Sequence, residues 1–419
     1  MASVPDDFLL LIFEAMSGPV MLSWPRAEYD HKRAVAPFAL AAVSRRWRAL
    51  ARTTPTIWAY FGFPAKFALR ASHLARLKVL VSLVKHHKID VLFGCDATMT
   101  RPYITNIYNT LTQLVFQWRS ANLILDSTRN PFPADLTSPT KELYLEQLTI
   151  SGTLQQLRLP SAPFMKKLHL QCNFADSQPA PAAPTPLPSL RYFACLLEKH
   201  TEIELLCGSY ALQLTELCIL FPMRGRTFGP IHCPNVTTLI LEDSRYLECI
   251  HAPNLQSLSI STGNLSGFDT AEFPNVSHLT LFGDVGHGAV DMLQNLRSIV
   301  RLSLATPDAV NVNGGGYPTT YSVTEGFFDQ LATRRPPIWP ALESIHLGYF
   351  GKGPPFRSLF NFVESRNALA AGEDKHAEVN WDRPSVLKNV VLSPELKITM
   401  PRWARIRLAH ILKAAHTIC

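Results

Sequence analysis

Residues 43 to 58 read VSRRWRALARTTPTIW and place Trp47 and Trp58 among four arginines, Arg45, Arg46, Arg48 and Arg52. Guanidinium groups beside indole rings suit two tasks: gripping a phosphate-bearing polymer, or anchoring a protein partner. The first needs aromatic rings interleaved with the cations, or a recognisable groove-binding motif, and this stretch has neither. The other reactive residue types are dispersed. Fourteen histidines and eight cysteines form no HExxH, no CxxC pair and no set at ligand spacing. His86 and His87 are adjacent, so on a helix they point apart. The run NVNGGG, 311 to 316, has no Lys-Ser after it, and Gly348 to Lys352 lacks Walker spacing. No nucleophile elbow or dinucleotide fingerprint is present. The sequence offers no catalytic residue, no metal site and no cofactor, so binding rather than catalysis is expected.

The elements around the tryptophans must therefore be built for contact. Ser3 can cap a helix, Pro5 suits its first turn, and Asp6 and Asp7 complement its positive end. That helix is predicted to reach about Met16, with an apolar surface wider than one neighbouring helix would cover. A loop is expected from Ser17 to Pro37, then a second helix from about Ala39 to Arg52. On it Leu40, Val43, Trp47 and Leu50 form one stripe, and the arginines lie off it, facing water. Pro55 ends the helix, because the residue before a proline avoids α geometry. So short a helical piece has a thin core and needs outside support.

These residues resemble an F-box. Val4-Pro5-Asp6-Asp7-Phe8-Leu9, Ile12-Phe13, Val43 to Leu50, Thr54-Pro55 and Ile57-Trp58 match the variety common in mushroom-forming fungi, over about 55 residues. Ser44 stands where a cysteine is usual, the gap from Phe13 to Val43 is longer than usual, and the usual central Asp-Leu step is absent. The resemblance implies docking onto the Skp adaptor of a cullin–RING ubiquitin ligase. It also implies that Pro5, Leu9, Ile12, Phe13, Val43, Trp47 and Trp58 make or support that contact. Read without the resemblance, the tryptophans are core residues of a helical bundle.

Beyond them, Lys66 to Lys88 predicts an amphipathic connecting helix with Leu77, Leu80, Val81 and Val84 on its apolar side. IDVLF, 89 to 93, reads as the first strand, and Pro102 to Trp118 as a helix. Then one phrase recurs: a proline, an apolar residue two on, and apolar residues at five and seven. It starts at Pro163, Pro234, Pro253 and Pro274, with looser copies centred on Leu143, Phe193, Leu217, Leu302, Ile345 and Val390. The mean step from Leu143 to Leu302 is about 23 residues, inside the roughly 20–29 of leucine-rich repeats. Only Asn173 follows its strand at the position where such repeats carry a turn-tying Asn or Cys, so irregular coils are expected. GFFDQLATR, 326 to 334, and RSLFNFVESRNALA, 357 to 370, read as helical inserts. One coil buries too little apolar surface to offset its ordering entropy, so neighbours must stack. An ordinary α/β domain with leucine-rich strands is the competing architecture.

The chain has 419 residues, 47% apolar and 17% charged, with net charge +7, which suits a folded protein and permits an acidic partner without requiring one. The apolar run FLLLIF is too short for a membrane span, and Asp6 and Asp7 stand where a signal peptide carries bases. Unpaired cysteines fit a reducing, cytoplasmic or nuclear setting, in which the glycosylation-type triplets at Asn235, Asn264 and Asn275 stay idle. The expected fold is α+β: a three-helix F-box over 1–62, a connecting helix over 63–90, and an irregular leucine-rich-repeat-like solenoid of short parallel strands over 91–419. The expected function is substrate recognition for an SCF-type ligase. Its partners would be the Skp adaptor, through it cullin, and an unidentified target protein, with no membrane and no nucleic acid. A scaffold acting outside the ligase, or an enzyme framed by the repeats, are the alternatives.

Overall fold

A computed structural model describes residues 4–17, 29–63, 71–95, 102–126, 142–154, 159–174, 186–197, 207–220, 229–262, 273–305, 322–348, 355–371 and 384–418. It mixes helices and strands around a large parallel sheet of thirteen strands, taken up in sequence order. The chain divides into two compact units, Met1–Gln213 and Leu214–Cys419.

The first unit opens with helices α1 (Asp6–Ser17), α2 (His31–Val43) and α3 (Arg45–Thr53), then a 3-10 turn over Pro55–Trp58. One helix was expected over 39–52; the structure breaks it at Ser44. That residue is extended (φ −157°, ψ 168°), and its hydroxyl accepts the Trp47 amide at 3.1 Å, capping α3. The expected loop up to Pro37 is also shorter. Asp30 caps α2 by accepting the Arg33 amide at 2.9 Å, and Pro37 sits buried inside the helix. Its missing N–H costs one helical bond; burial of Ala34, Ala36 and Leu40 around it favours the helix regardless. The Ser3 cap and the loop 311–316 lie outside the described residues, as do most of the proline-rich stretch 176–188 and Gly348–Lys352.

IDVLF proves to be part of the second strand. Strand β1 (Tyr60–Phe63) precedes it and pairs in parallel with β2 (Ile89–Cys95), across the expected helix α4 (Ala71–Val84). The predicted helix over 102–118 stops early: α5 spans Pro102–Gln113, and Trp118 opens the next strand. Strands β3 (Trp118–Asp126), β4 (Gln147–Leu154), β5 (Lys167–Phe174) and β6 (Tyr192–Leu197) follow in parallel. Their register makes two inward rows, Phe61–Val91–Ala121–Leu148–Leu168–Phe193 and Phe63–Phe93–Leu123–Ile150–Leu170–Cys195, all buried. The copy assigned to Leu143 is out of register. Leu143 and Leu145 are buried, but β4 begins two residues later, and Leu148 takes the place in the row. Gly152 in β4 has φ +122°, and a methyl there would sit 1.7 Å from the Leu125 carbonyl oxygen, so only glycine fits.

The second unit repeats the plan. Strands β7 (Glu216–Ile219), β9 (Thr238–Leu241), β11 (Ser257–Ser261), β12 (His278–Phe282), β14 (Arg301–Leu304), β16 (Ser344–Leu347) and β17 (Asn389–Leu392) pair in parallel. Two-residue strands form minor pairs beside them, β8 (Ile231–His232) with β10 (Ile250–His251) and β13 (Asp284–Val285) with β15 (Ser322–Val323). The predicted row is in place: Leu217, Leu239, Leu258, Leu279, Leu302, Ile345 and Val390 stand side by side. Both expected inserts are helices, Glu325–Thr333 and Phe356–Ala371.

A second repeating device explains the prolines. Before six strands of the sheet a turn closes from the carbonyl of one apolar residue to the amide of another three residues on: Ala162 to Met165, Leu187 to Leu190, Cys233 to Val236, Ala252 to Leu255, Phe273 to Val276, Trp339 to Leu342. Proline follows the first residue in each, where its fixed φ suits the turn, and both ends of every turn are buried. Asparagine then links successive turns. Asn254 Nδ2 donates to the Pro234 carbonyl at 2.8 Å, and Asn275 Nδ2 to the Pro253 carbonyl at 3.0 Å. Asn254→Ala and Asn275→Ala are each expected to lower unfolding free energy by about 1 kcal/mol, read as a lower urea midpoint at unchanged slope. An effect near zero would show that the side-chain link does not stabilise the turns.

Candidate functional site

Helix α1 divides its apolar residues between two faces. Leu9 and Phe13, one turn apart, are buried, with the Phe13 ring 5.2 Å from that of Trp47. Val4, Phe8, Leu11, Ile12 and Met16 are exposed; Phe8 and Leu11 each keep 61% of their surface. Pro5 is exposed beside them. Val43, at the end of α2, is exposed as well, because the break at Ser44 turns it off the expected stripe. Trp47 is half-buried. Trp58 is internal: its indole N–H donates to the Ala51 carbonyl at 2.7 Å, and Phe38 meets it edge-on at 5.1 Å. Of the seven predicted residues, Leu9, Phe13 and Trp58 hold the helices together. Pro5, Ile12 and Val43 reach solvent, and Trp47 stands between the two groups.

The arginines do more than face water. Arg46 donates to the Asp6 carboxylate at 2.8 Å and to the Val4 carbonyl at 2.5 Å, fixing the start of α1 against α3. Arg48 Nε donates to the Ala41 carbonyl at 3.0 Å across the Ser44 break. Arg45 and Arg52 remain exposed.

The base on which these helices sit went unread in the sequence. Asp90, buried at the start of β2, accepts hydrogen bonds from three residues on two elements, α2 and β3. Arg33 of α2 donates at 2.9 Å, Arg119 of β3 at 3.0 and 2.6 Å, and Ser120 at 2.7 Å. Burial by itself pushes the Asp90 carboxyl up. The hydrogen bonds from Arg119, Ser120 and Arg33, with the Arg119 charge, outweigh it and hold the group below the usual carboxylate range. The Arg33 guanidinium also lies 4.6 Å over the Tyr60 ring, and burial pushes the Tyr60 hydroxyl up to about 12. Arg76 of α4 adds a second tie, donating to the Ala34 carbonyl at 2.8 Å and the Tyr29 hydroxyl at 3.3 Å. A carboxylate between Ile89 and Val91 in an apolar strand was the available signal, since a buried charge must be paired.

No protein-family model matches the chain, and no curated protein matches it. The arrangement itself therefore carries the reading. Among the described residues no three His, Cys, Asp or Glu side chains come together to hold a metal, and no helix is long and apolar enough to cross a membrane. The described cysteines, Cys172, Cys195, Cys207, Cys218, Cys233 and Cys249, are unbridged, and all but half-buried Cys249 are buried. Burial pushes the Cys218 thiol well up, which opposes thiolate chemistry.

Proposed function

We propose that this protein is the substrate-recognition subunit of an SCF-type ubiquitin ligase. Its N-terminal helices serve as an F-box-like domain that docks the Skp adaptor and, through it, cullin. The stacked strands, read as an irregular leucine-rich-repeat-like solenoid, present a surface to a target protein. The receptor performs no chemistry; it raises the local concentration of target lysines near a charged conjugating enzyme. The observation that carries the reading is the uncovered apolar face of α1, Phe8, Leu11, Ile12 and Met16, on a helix whose other face is locked by Leu9 and Phe13. An exposed apolar patch on a pinned helix marks a protein-binding surface. The in-register rows of buried residues support the solenoid half.

Capture of the Skp adaptor by wild type and by a Phe8→Asp/Ile12→Asp variant tests it. Both side chains are exposed, so the variant is expected to keep its thermal midpoint while adaptor recovery falls at least about tenfold. Equal recovery overturns the docking assignment. Trp47→Ala would be a poorer probe, since Trp47 packs on Phe13 and its loss disturbs the helices themselves. Recovery of adaptor without cullin would instead indicate a scaffold acting outside the ligase.

A further inference from the structure

We propose that the two C-terminal helices lie on the surface of an anionic lipid bilayer. This goes beyond the receptor reading and does not depend on it. Helices Pro394–Thr399 and Arg402–Ile418 follow the last strand of the sheet. Three large apolar side chains on them stand in solvent: Ile398 keeps 83% of its surface, Ile406 61% and Trp403 53%. Each follows an exposed base in the chain, giving the pairs Lys397-Ile398, Arg402-Trp403 and Arg405-Ile406. Over 394–418 the bases are Lys397, Arg402, Arg405, Arg407 and Lys413, against a single acid, Glu395.

The face is held in place. Ala404, Leu408 and Ile411, spaced by four and three, are buried on the other side of helix Arg402–Ile418. Arg407 donates to both carboxylate oxygens of Glu364, at 3.1 and 2.9 Å, and the Trp403 ring meets Phe360 edge-on at 5.9 Å. Among the described residues no carboxylate pairs with Lys397, Arg402 or Arg405. Arg402 and Arg405 also stand in the first turn of their helix, where bases oppose its dipole. The fold by itself disfavours that placement, and an anionic surface outside offsets it. A second copy of the chain would set like charges against one another. A protein interface has a centre depleted of charge, but here a base adjoins every one of the three apolar side chains. Nucleic acid stacks its bases on aromatic platforms, whereas two of the three are isoleucines. An anionic bilayer takes the mixture as it stands. Isoleucine and tryptophan enter the boundary between headgroups and acyl chains, and the neighbouring bases meet the phosphates. The sequence pointed to no membrane partner, since nothing in it separates Ile398 and Ile406 from the buried Leu408 and Ile411.

The test sediments the full chain with vesicles of phosphatidylcholine alone and with vesicles containing about one-third phosphatidylserine. Wild type is expected to bind the second and not the first. Ile398→Asp/Ile406→Asp and Arg402→Gln/Arg405→Gln are each expected to weaken binding at least about tenfold at an unchanged thermal midpoint. All four side chains are exposed, and should one pair of substitutions unfold the chain, the other decides. The proposal is overturned if wild type ignores the charged vesicles, binds the neutral ones equally, or is matched by either folded variant. It is equally overturned if polyglutamate or a single-stranded oligonucleotide, at equal charge, strips the chain from the vesicles. That result would assign the face to an acidic protein or to nucleic acid.

Discussion

Asp90→Ala is expected to lower the unfolding free energy by about 3–5 kcal/mol, the usual cost of removing one partner of a buried ion pair. Arg33 and Asp90 are both almost wholly buried, so the variant strands a guanidinium in a dry site. It also releases Arg119 and Ser120 and loosens α2 from β2 and β3. Asp90→Asn keeps the shape and one acceptor oxygen, so it should lose less, and the gap between the two variants measures the charge. The pH dependence has a fixed sign. The folded-state group titrates below its unfolded value of about 3.9. Its contribution is therefore fully present above that value and fades as pH falls through the lower, folded value. The wild-type advantage over Asp90→Ala in urea should be constant from pH 7 to about 5 and shrink below about 4. A variant within about 1 kcal/mol of wild type at pH 7 would show that the node does not hold the helices to the sheet.

The parts of the fold readable in advance were those governed by local period. Leucines at five and seven after a proline mark a turn and a strand, and in the second unit every predicted centre from Leu217 to Val390 fell into the row. The errors arose where the deciding contact was distant or the local signal ambiguous. Leu143 and Leu145 spell the same apolar alternation as Leu148 and Ile150. Which pair joins the sheet depends on the Glu146 carbonyl, which receives the amides of Lys166 and Lys167. Strand β1 was hidden because Tyr60–Phe63 is short and its partner lies 30 residues away. Ser44 fits a helical stripe as readily as it caps a new helix, and the bonds of Arg46 to Asp6 and of Arg48 to the Ala41 carbonyl accompany the cap.

The same distinction separates the two halves of the candidate docking site. The resemblance to an F-box grouped Leu9, Ile12, Phe13 and Trp58 in one constellation, but such a pattern does not tell the inner side of a thin helical layer from the outer. Trp58 was expected to make a partner contact or to support it. The Ala51 carbonyl, which also accepts the Thr54 amide at the end of α3, takes its indole N–H and keeps the ring inside. Phe8 and Leu11, outside the predicted set, are the more exposed residues. A docking surface is defined by what the rest of the chain leaves uncovered, which is a tertiary property.

Arg366→Met should cost about 2–4 kcal/mol. Arg366 is buried on helix Phe356–Ala371, and every hydrogen bond the structure gives its side chain goes to a backbone carbonyl. One terminal nitrogen donates to Trp339, Pro340 and Leu342 at 2.9, 2.9 and 3.0 Å, and Nε donates to Ser385 at 3.1 Å. Burial lowers its pKa to about 10, which leaves it charged at neutral pH. The turn it clamps needs help, because Trp339 has φ 51°, a strained backbone for a residue with a side chain. Methionine keeps the apolar stem but no donor. Trp339 and Pro340 retain the amides of Leu342 and Ser385, while the Leu342 and Ser385 carbonyls lose the guanidinium. Arg366→Lys restores the charge without the planar fork, so it should recover only part of the loss. If the lysine variant matched wild type, charge rather than geometry would be the clamp. If methionine matched it, the insert helix would stay in place through its buried apolar residues, Leu359, Phe360 and Val363, alone.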